Sequence, residues 1–133
     1  MRRTYLDTGV LIEAAAGKGP KAEVALAVLR DPARAFLSCP FIDLELLPQT
    51  ILNRHRLQQR VLETYLSGTD RTEELAAILK LAYREATRSP VSGMDALHVA
   101  AAHLLGADEF ITTEKPGKAI YRNSLVPVVF LRV

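Results

Sequence analysis

Tryptophan is absent, cysteine occurs once, and aromatic residues make up only 6% of the 133 positions. The single thiol, Cys39, can form no intrachain disulfide, so a reducing compartment is the expectation. So few aromatics offer little surface for stacking on bases, and no base preference is legible. Long apolar runs are missing as well. No uninterrupted stretch approaches the roughly 20 residues that span a bilayer, and the acid in Thr4-Tyr5-Leu6-Asp7 interrupts the opening well short of a secretory core. The chain therefore reads as cytoplasmic, with no membrane partner. A one-sided charge is lacking too: the net charge is +2 and the pI about 8.9, which permits a nucleic-acid partner without arguing strongly for one.

What is present is the balance of an ordinary globular protein, 49% hydrophobic and 24% charged. Low-complexity tracts, repeats and long linkers are missing, so residues 1–133 read as a single domain. Short apolar segments at 3–7, 35–39, 109–112 and 126–131 predict strands. Between them lie helical patterns at 8–16, 21–30, 41–56, 57–66, 71–87 and 93–105. Pro48 should kink or divide the helix over 41–56. Asp70, followed by Glu73, predicts a capping box at the start of 71–87, and Ser92 and Gly106 bracket 93–105. Strands alternating with helices predict a three-layer α/β/α sandwich around a central, mainly parallel sheet. In such sheets ligands sit beyond the carboxyl ends of the strands. Asp7 ends the first strand, and Thr112 to Glu114 end the third.

Four acids fall where that crevice would be: Asp7, Glu45 early in the helix over 41–56, Asp95 three residues after Ser92, and Glu114. Converging carboxylates suit hard divalent cations and metal-assisted phosphodiester hydrolysis. Each also has a plain structural explanation. Asp7 and Asp95 stand where helices begin and would serve as caps. Glu45 could be solvated or pair with Gln49 or Arg54, and Glu114 could be an ordinary loop acid like Glu109. No local metal motif joins the four.

Resemblance supplies what spacing does not. Tyr5-Leu6-Asp7-Thr8-Gly9-Val10-Leu11-Ile12 resembles the opening of PIN domains, and Leu44-Glu45-Leu46 resembles their second element. Met94-Asp95-Ala96-Leu97-His98-Val99-Ala100-Ala101-Ala102 is similar to the third, and Gly106-Ala107-Asp108-Glu109-Phe110-Ile111-Thr112-Thr113-Glu114 to the fourth. The four stand in family order and cover nearly the whole chain. The resemblance implies a Mg²⁺- or Mn²⁺-dependent ribonuclease acting on RNA. Many small bacterial members look like VapC-type toxins, which dimerise and are inhibited by a separately encoded antitoxin protein. It implies Asp7, Glu45 and Asp95 as catalytic metal ligands, with Thr8 and Thr112 in support. Glu114 takes a fourth ligand position where Asp is commoner, and Gly9 one where many members have Ser or Asn. Asp108 precedes its strand and is assigned to a turn or a contact with the neighbouring helix. His98, one turn after Asp95, is assigned a structural hydrogen bond between helices, and His55 and His103 are placed on the surface.

Arg54, Arg56 and Arg60 follow the Glu45 helix, and Lys115, Lys118 and Arg122 follow Glu114. Arg54, Arg56 and Lys115 are the candidate RNA contacts, against a reading as ordinary surface charge. Part of the stripe Leu75, Ile78, Leu79, Leu81 and Ala82 is expected to join Leu57, Val61 and Tyr65 in a homodimer interface. Three rivals compete. Asp7-Thr8-Gly9 also spells the aspartic-protease signature, but that class is built on mostly β scaffolds. A phospho-acceptor domain with Asp7 as nucleophile and Lys115 as its cation lacks the further acid such domains carry. The alternative that survives is a catalytically weak PIN-fold module binding RNA or a protein partner.

Overall fold

The computed structural model describes residues 1–133. Five parallel strands stand in the order β3-β2-β1-β4-β5: β1 (Arg2–Leu6), β2 (Arg34–Ser38), β3 (Asp70–Arg71), β4 (Glu109–Thr112) and β5 (Val128–Phe130). Six helices flank them: α1 (Thr8–Ala16), α2 (Pro20–Leu29), α3 (Pro40–Leu52), α4 (Arg56–Ser67), α5 (Leu75–Arg88) and α6 (Gly93–Leu104). This is the expected parallel α/β/α sandwich, with one strand more than the apolar pattern predicts. Tyr5, Leu6, Leu37, Phe110 and Ile111 of the inner strands are at most 3% exposed, as a sheet covered on both faces requires. Helix α5 packs along α6, while α1 packs against α2 and α4, and α3 against α4. No helix is long and apolar enough to cross a membrane.

Several sequence expectations give way to tertiary contacts. Helix α3 runs straight through Pro48. Both Pro48 and Leu44, whose carbonyl loses its bond to the missing N–H, are exposed, so water can satisfy that carbonyl. The division falls at Arg54 instead, where φ is +56°. The capping box at Asp70 does not form. Arg71 reaches back to Asp43 through two bonds of 3.0 and 3.1 Å and Asp70 pairs with Arg3 at 3.1 Å. Those partners hold both residues extended as β3, and α5 begins only at Leu75. The last strand is shorter than 126–131, although the Pro127 carbonyl still accepts from Phe110 N–H at 2.8 Å.

Two acids are better anchored than expected. Glu109 is a buried strand residue, bonded to Thr4 at 2.7 Å and paired with Arg2 and Arg34. The carboxylate of Asp108 accepts from the backbone N–H of Arg3 at 2.8 Å, so its contact is with strand β1 and not with a helix.

Candidate functional site

Strand β1 lies between β2 and β4, and the chain crosses to one side of it and then to the other. A crevice opens at such a switch point, beyond the carboxyl ends of the two diverging strands. Asp7 emerges there from β1, its N–H still bonded to Ile111 of β4 at 2.9 Å. One carboxylate oxygen of Asp7 accepts from Thr8 N–H at 2.8 Å, capping α1, and the other accepts from the Thr112 hydroxyl at 2.8 Å. Asp7 is therefore a cap and a crevice acid at once. The Thr8 hydroxyl, by contrast, makes no hydrogen bond to the protein.

Glu114 follows β4. Its N–H donates to the Thr112 hydroxyl at 3.0 Å and its carbonyl accepts from Tyr121 at 2.6 Å, so the backbone is fixed while the side chain is exposed. Asp95 stands in the first turn of α6, its N–H bonded to the Ser92 hydroxyl at 3.2 Å. Burial raises the pKa of Asp95, the negative charges of Asp7 and Glu114 raise it further, and His98 opposes them. The structure thus gathers three of the four sequence-selected acids, and none of these three has a lysine or arginine ion-pair partner.

Glu45 is engaged elsewhere. Its carboxylate, one third exposed, bonds to Nε2 of the buried His98. Nδ1 of the same ring lies 2.7 Å from the Tyr5 hydroxyl, which is 3.3 Å from the Cys39 sulfur. Burial disfavours the imidazolium, but the Cys39 sulfur and the Glu45 carboxylate outweigh it and hold the His98 pKa at about 9. Both ring nitrogens then donate, one to Glu45 and one to Tyr5. His98 is the hydrogen-bonded histidine expected from the sequence, but it ties α6 to β1 and α3, and its partner is a candidate ligand. In the sequence Tyr5 shows only as a strand residue. A tyrosine hydroxyl buried in an inner strand must find a partner, and that requirement is the sequence's one pointer to this bond. No three His, Cys, Asp or Glu side chains stand in position to hold one metal ion in this conformation.

The basic candidates split into two groups. Arg54 and Arg56 are exposed at the turn between α3 and α4, beside a shallow pocket of about 300 Å³. A groove of about 210 Å³ connects that end of α3, at Asn53 and His55, with Glu45. Lys115 stands on the other flank, next to Glu114. His55 and His103 are exposed, as expected. Gly9 has a local reason to be glycine: a Cβ there would come 2.4 Å from the Thr113 hydroxyl, so a Ser or Asn would push against the segment carrying Glu114.

A family model of the PIN domain matches residues 4–120. Among solved structures, the chain resembles VapBC2 from Rickettsia felis, bound to a DNA fragment from their promoter, with a TM-score of 0.72 at 13% identity over 96% of this chain and 98% of that one. A toxin–antitoxin complex from Klebsiella pneumoniae gives 0.66 at 18% identity, over 85% and 88% of the two chains. Mycobacterium tuberculosis VapC20, a Sarcin-Ricin loop cleaving toxin, gives 0.65 at 16% identity, over 86% and 91%. A comparison with the sequences of curated proteins finds no match.

Proposed function

The chain belongs to the PIN domain family, and from that membership we propose that it is a divalent-metal-dependent endoribonuclease and the toxin of a toxin–antitoxin pair. One observation carries the reading: Asp7 and Glu114 lie near enough to Asp95 for their charges to add to burial in raising its pKa, against the opposing His98, and none of the three acids is paired with a lysine or arginine. Such a site falls in energy when a cation enters. Its donors are all oxygens, the set that Mg²⁺ or Mn²⁺ takes.

In this reading Asp7 and Asp95 hold the ion, Glu45 completes the set after a change of rotamer, and Glu114 binds a second ion or orients water. When bound, the metal would activate a water and neutralise charge developing on the scissile phosphate. The chain's own groups do the rest. Thr112 orients the Asp7 carboxylate, the unpartnered Thr8 hydroxyl supports it, and His98 restrains Glu45. Arg54, Arg56 and Lys115 supply positive charge along the path of the RNA backbone.

The relatives described as toxin–antitoxin assemblies support an antitoxin partner for this chain. Exposed apolar stripes offer surfaces for it and for a second copy. Leu75, Leu79 and Tyr83 repeat every four residues on α5, and Leu57 and Val61 do so on α4, all at least 40% exposed. Tyr65 does not belong to that surface, because its ring packs edge-on against Phe36 at 5.6 Å.

Metal and melting test the assignment together. Millimolar Mn²⁺ is expected to raise the melting temperature by binding only the folded state and to support cleavage of RNA that EDTA abolishes. Asp95 has a folded-state pKa above its unfolded value, so its charge destabilises the metal-free fold at neutral pH. Asp95→Asn is therefore expected to raise the metal-free melting temperature and to abolish the Mn²⁺ shift. A second reading, a PIN module of weak catalysis that binds RNA or protein, is favoured by the engagement of Glu45 with His98. A melt insensitive to Mn²⁺ would decide for it.

His98→Leu tests the restraint on Glu45. It leaves the buried Tyr5 hydroxyl without its imidazole partner, at an expected cost of about 2 kcal/mol. Loss of the partner behind a ligand typically weakens metal binding by roughly 10–100-fold. A Mn²⁺ titration matching the unaltered protein would remove His98 from the site.

A further inference from the structure

On either side of Glu114 in the chain, Thr113 and Lys115 line a cavity of about 240 Å³, together with Glu13, Lys21, Phe130, Leu131 and Val133. Its chemistry is unlike that of the acid crevice. Lys21 and Lys115 are exposed, and neither ammonium is within ion-pairing distance of a carboxylate. Phe130, half-buried at the end of β5, presents an aromatic ring in a chain with few of them, and the Arg132 guanidinium lies 5.8 Å from the ring centroid. Leu131, 8% exposed, gives the cavity an apolar floor. Pockets that take a whole small-molecule ligand usually measure roughly 300–1,000 Å³, so this one is sized for a single ring system.

We propose that this cavity is a nucleotide subsite, which seats the base adjoining the scissile phosphate of a single-stranded RNA against Phe130 and holds that nucleotide's phosphate with Lys21 and Lys115. The proposal rests on the nuclease reading for the position of the scissile phosphate. Thr113 and Lys115 line the cavity and flank Glu114 in the chain, and Glu13 lies on α1, the helix that Asp7 caps, so the cavity borders the segments that carry two of the acids. Positive charge positions the backbone, and an aromatic face takes a base of any identity. Glu13 has the one acidic side chain in the lining and repels a phosphate, which favours the lysine side for the phosphate and leaves the ring to the base.

The test is fluorescence anisotropy with a labelled 12-nucleotide single-stranded RNA and the uncleaving Asp7→Asn protein, in EDTA, across a range of salt. Stacking contributes about 1–3 kcal/mol per base on removal of the aromatic, so Phe130→Ala is expected to weaken binding about tenfold, while Phe130→Tyr stays within about twofold. Removing both ammoniums with Lys21→Ala/Lys115→Ala should lower the slope of log K against log salt by roughly 1.4. The distant pair Lys80→Ala/Arg84→Ala on α5 should leave the slope unchanged. Binding by Phe130→Ala equal to that of its parent, an unchanged slope for the lysine pair, or no RNA binding by the parent protein would each overturn the subsite. Cleavage assays on the Asp7-containing protein separate the two proposals. If it cuts RNA and the cavity substitutions change neither binding nor kcat/KM, the nuclease stands and the subsite falls. If it does not cut but Phe130→Ala still loses binding, the nuclease falls and the cavity stands as an RNA-binding site with no scissile phosphate beside it.

Discussion

Asp7→Asn is expected to reduce Mn²⁺-dependent RNA cleavage by roughly a thousandfold, equivalent to about 4 kcal/mol of transition-state stabilisation, while the protein stays folded. The two halves of this expectation come from different atoms. The proposed activity would need the full negative charge of Asp7 on the ion. Folding needs an acceptor for Thr8 N–H, now bonded at 2.8 Å, and an Asn oxygen serves a helix N-terminus about as well. The second carboxylate oxygen accepts from Thr112, and an Asn amide there would donate to that hydroxyl instead. Neutralising one of three adjacent acids also removes repulsion, so the metal-free melting temperature should hold or rise. Circular dichroism and a gel-based cleavage assay on the same preparation read both. A fully active Asp7→Asn protein would end the metal-nuclease assignment, whatever its stability.

Glu85 carries the largest expected effect on stability. It lies in α5, outside the group formed by Asp7, Asp95 and Glu114, and its side chain has no exposure at all. Its carboxylate is fully engaged: one oxygen accepts from Arg88 at 2.9 Å and the Ser124 hydroxyl at 2.7 Å. The other accepts from Ser124 N–H at 2.7 Å and the Ser89 hydroxyl at 3.0 Å. Burial alone would raise its pKa, but these donors overcome it and lower the value from 4.5 to about 2. At about 1.4 kcal/mol per unit, that difference corresponds to roughly 3 kcal/mol of stability. The folded-state value lies below the unfolded one, so this stabilisation is complete above about pH 4.5 and fades as the pH falls toward 2. Glu85→Gln, which turns an amide toward Ser124 N–H, is expected to lower the melting temperature by about 10 °C at pH 7. The gap should narrow in urea melts at pH 3. A variant melting with the unaltered protein at pH 7 would show that the segment before β5 is held by other contacts.

Legibility in the sequence followed the range of the interactions. The inner strands declared themselves as short apolar runs, and Ser92 and Gly106 marked α6 because caps act within one turn. Strand β3 was invisible because it has two residues and exists through Arg71–Asp43 and Asp70–Arg3, pairs formed by segments distant in the chain. Pro48 signalled a break that an exposed helix face did not need. At the site, the positions of Asp7 and Asp95 at helix starts could be read directly. The link from Tyr5 through His98 to Glu45 could not, since its members span 93 residues. Glu85 looked like any acid on an amphipathic helix, because its main partner, Ser124, lies 39 residues on.

The bond between Asp7 and Thr112 spans 105 positions. On a ribosome, the first acid is therefore made long before the strand that completes its surroundings. Parallel pairings across such separations form late, since loop closure must precede the contacts that reward it. A growing polypeptide of this sequence would carry its carboxylates unassembled for most of its synthesis. The bond from Thr112 that orients Asp7 would form only once β4 had emerged and docked.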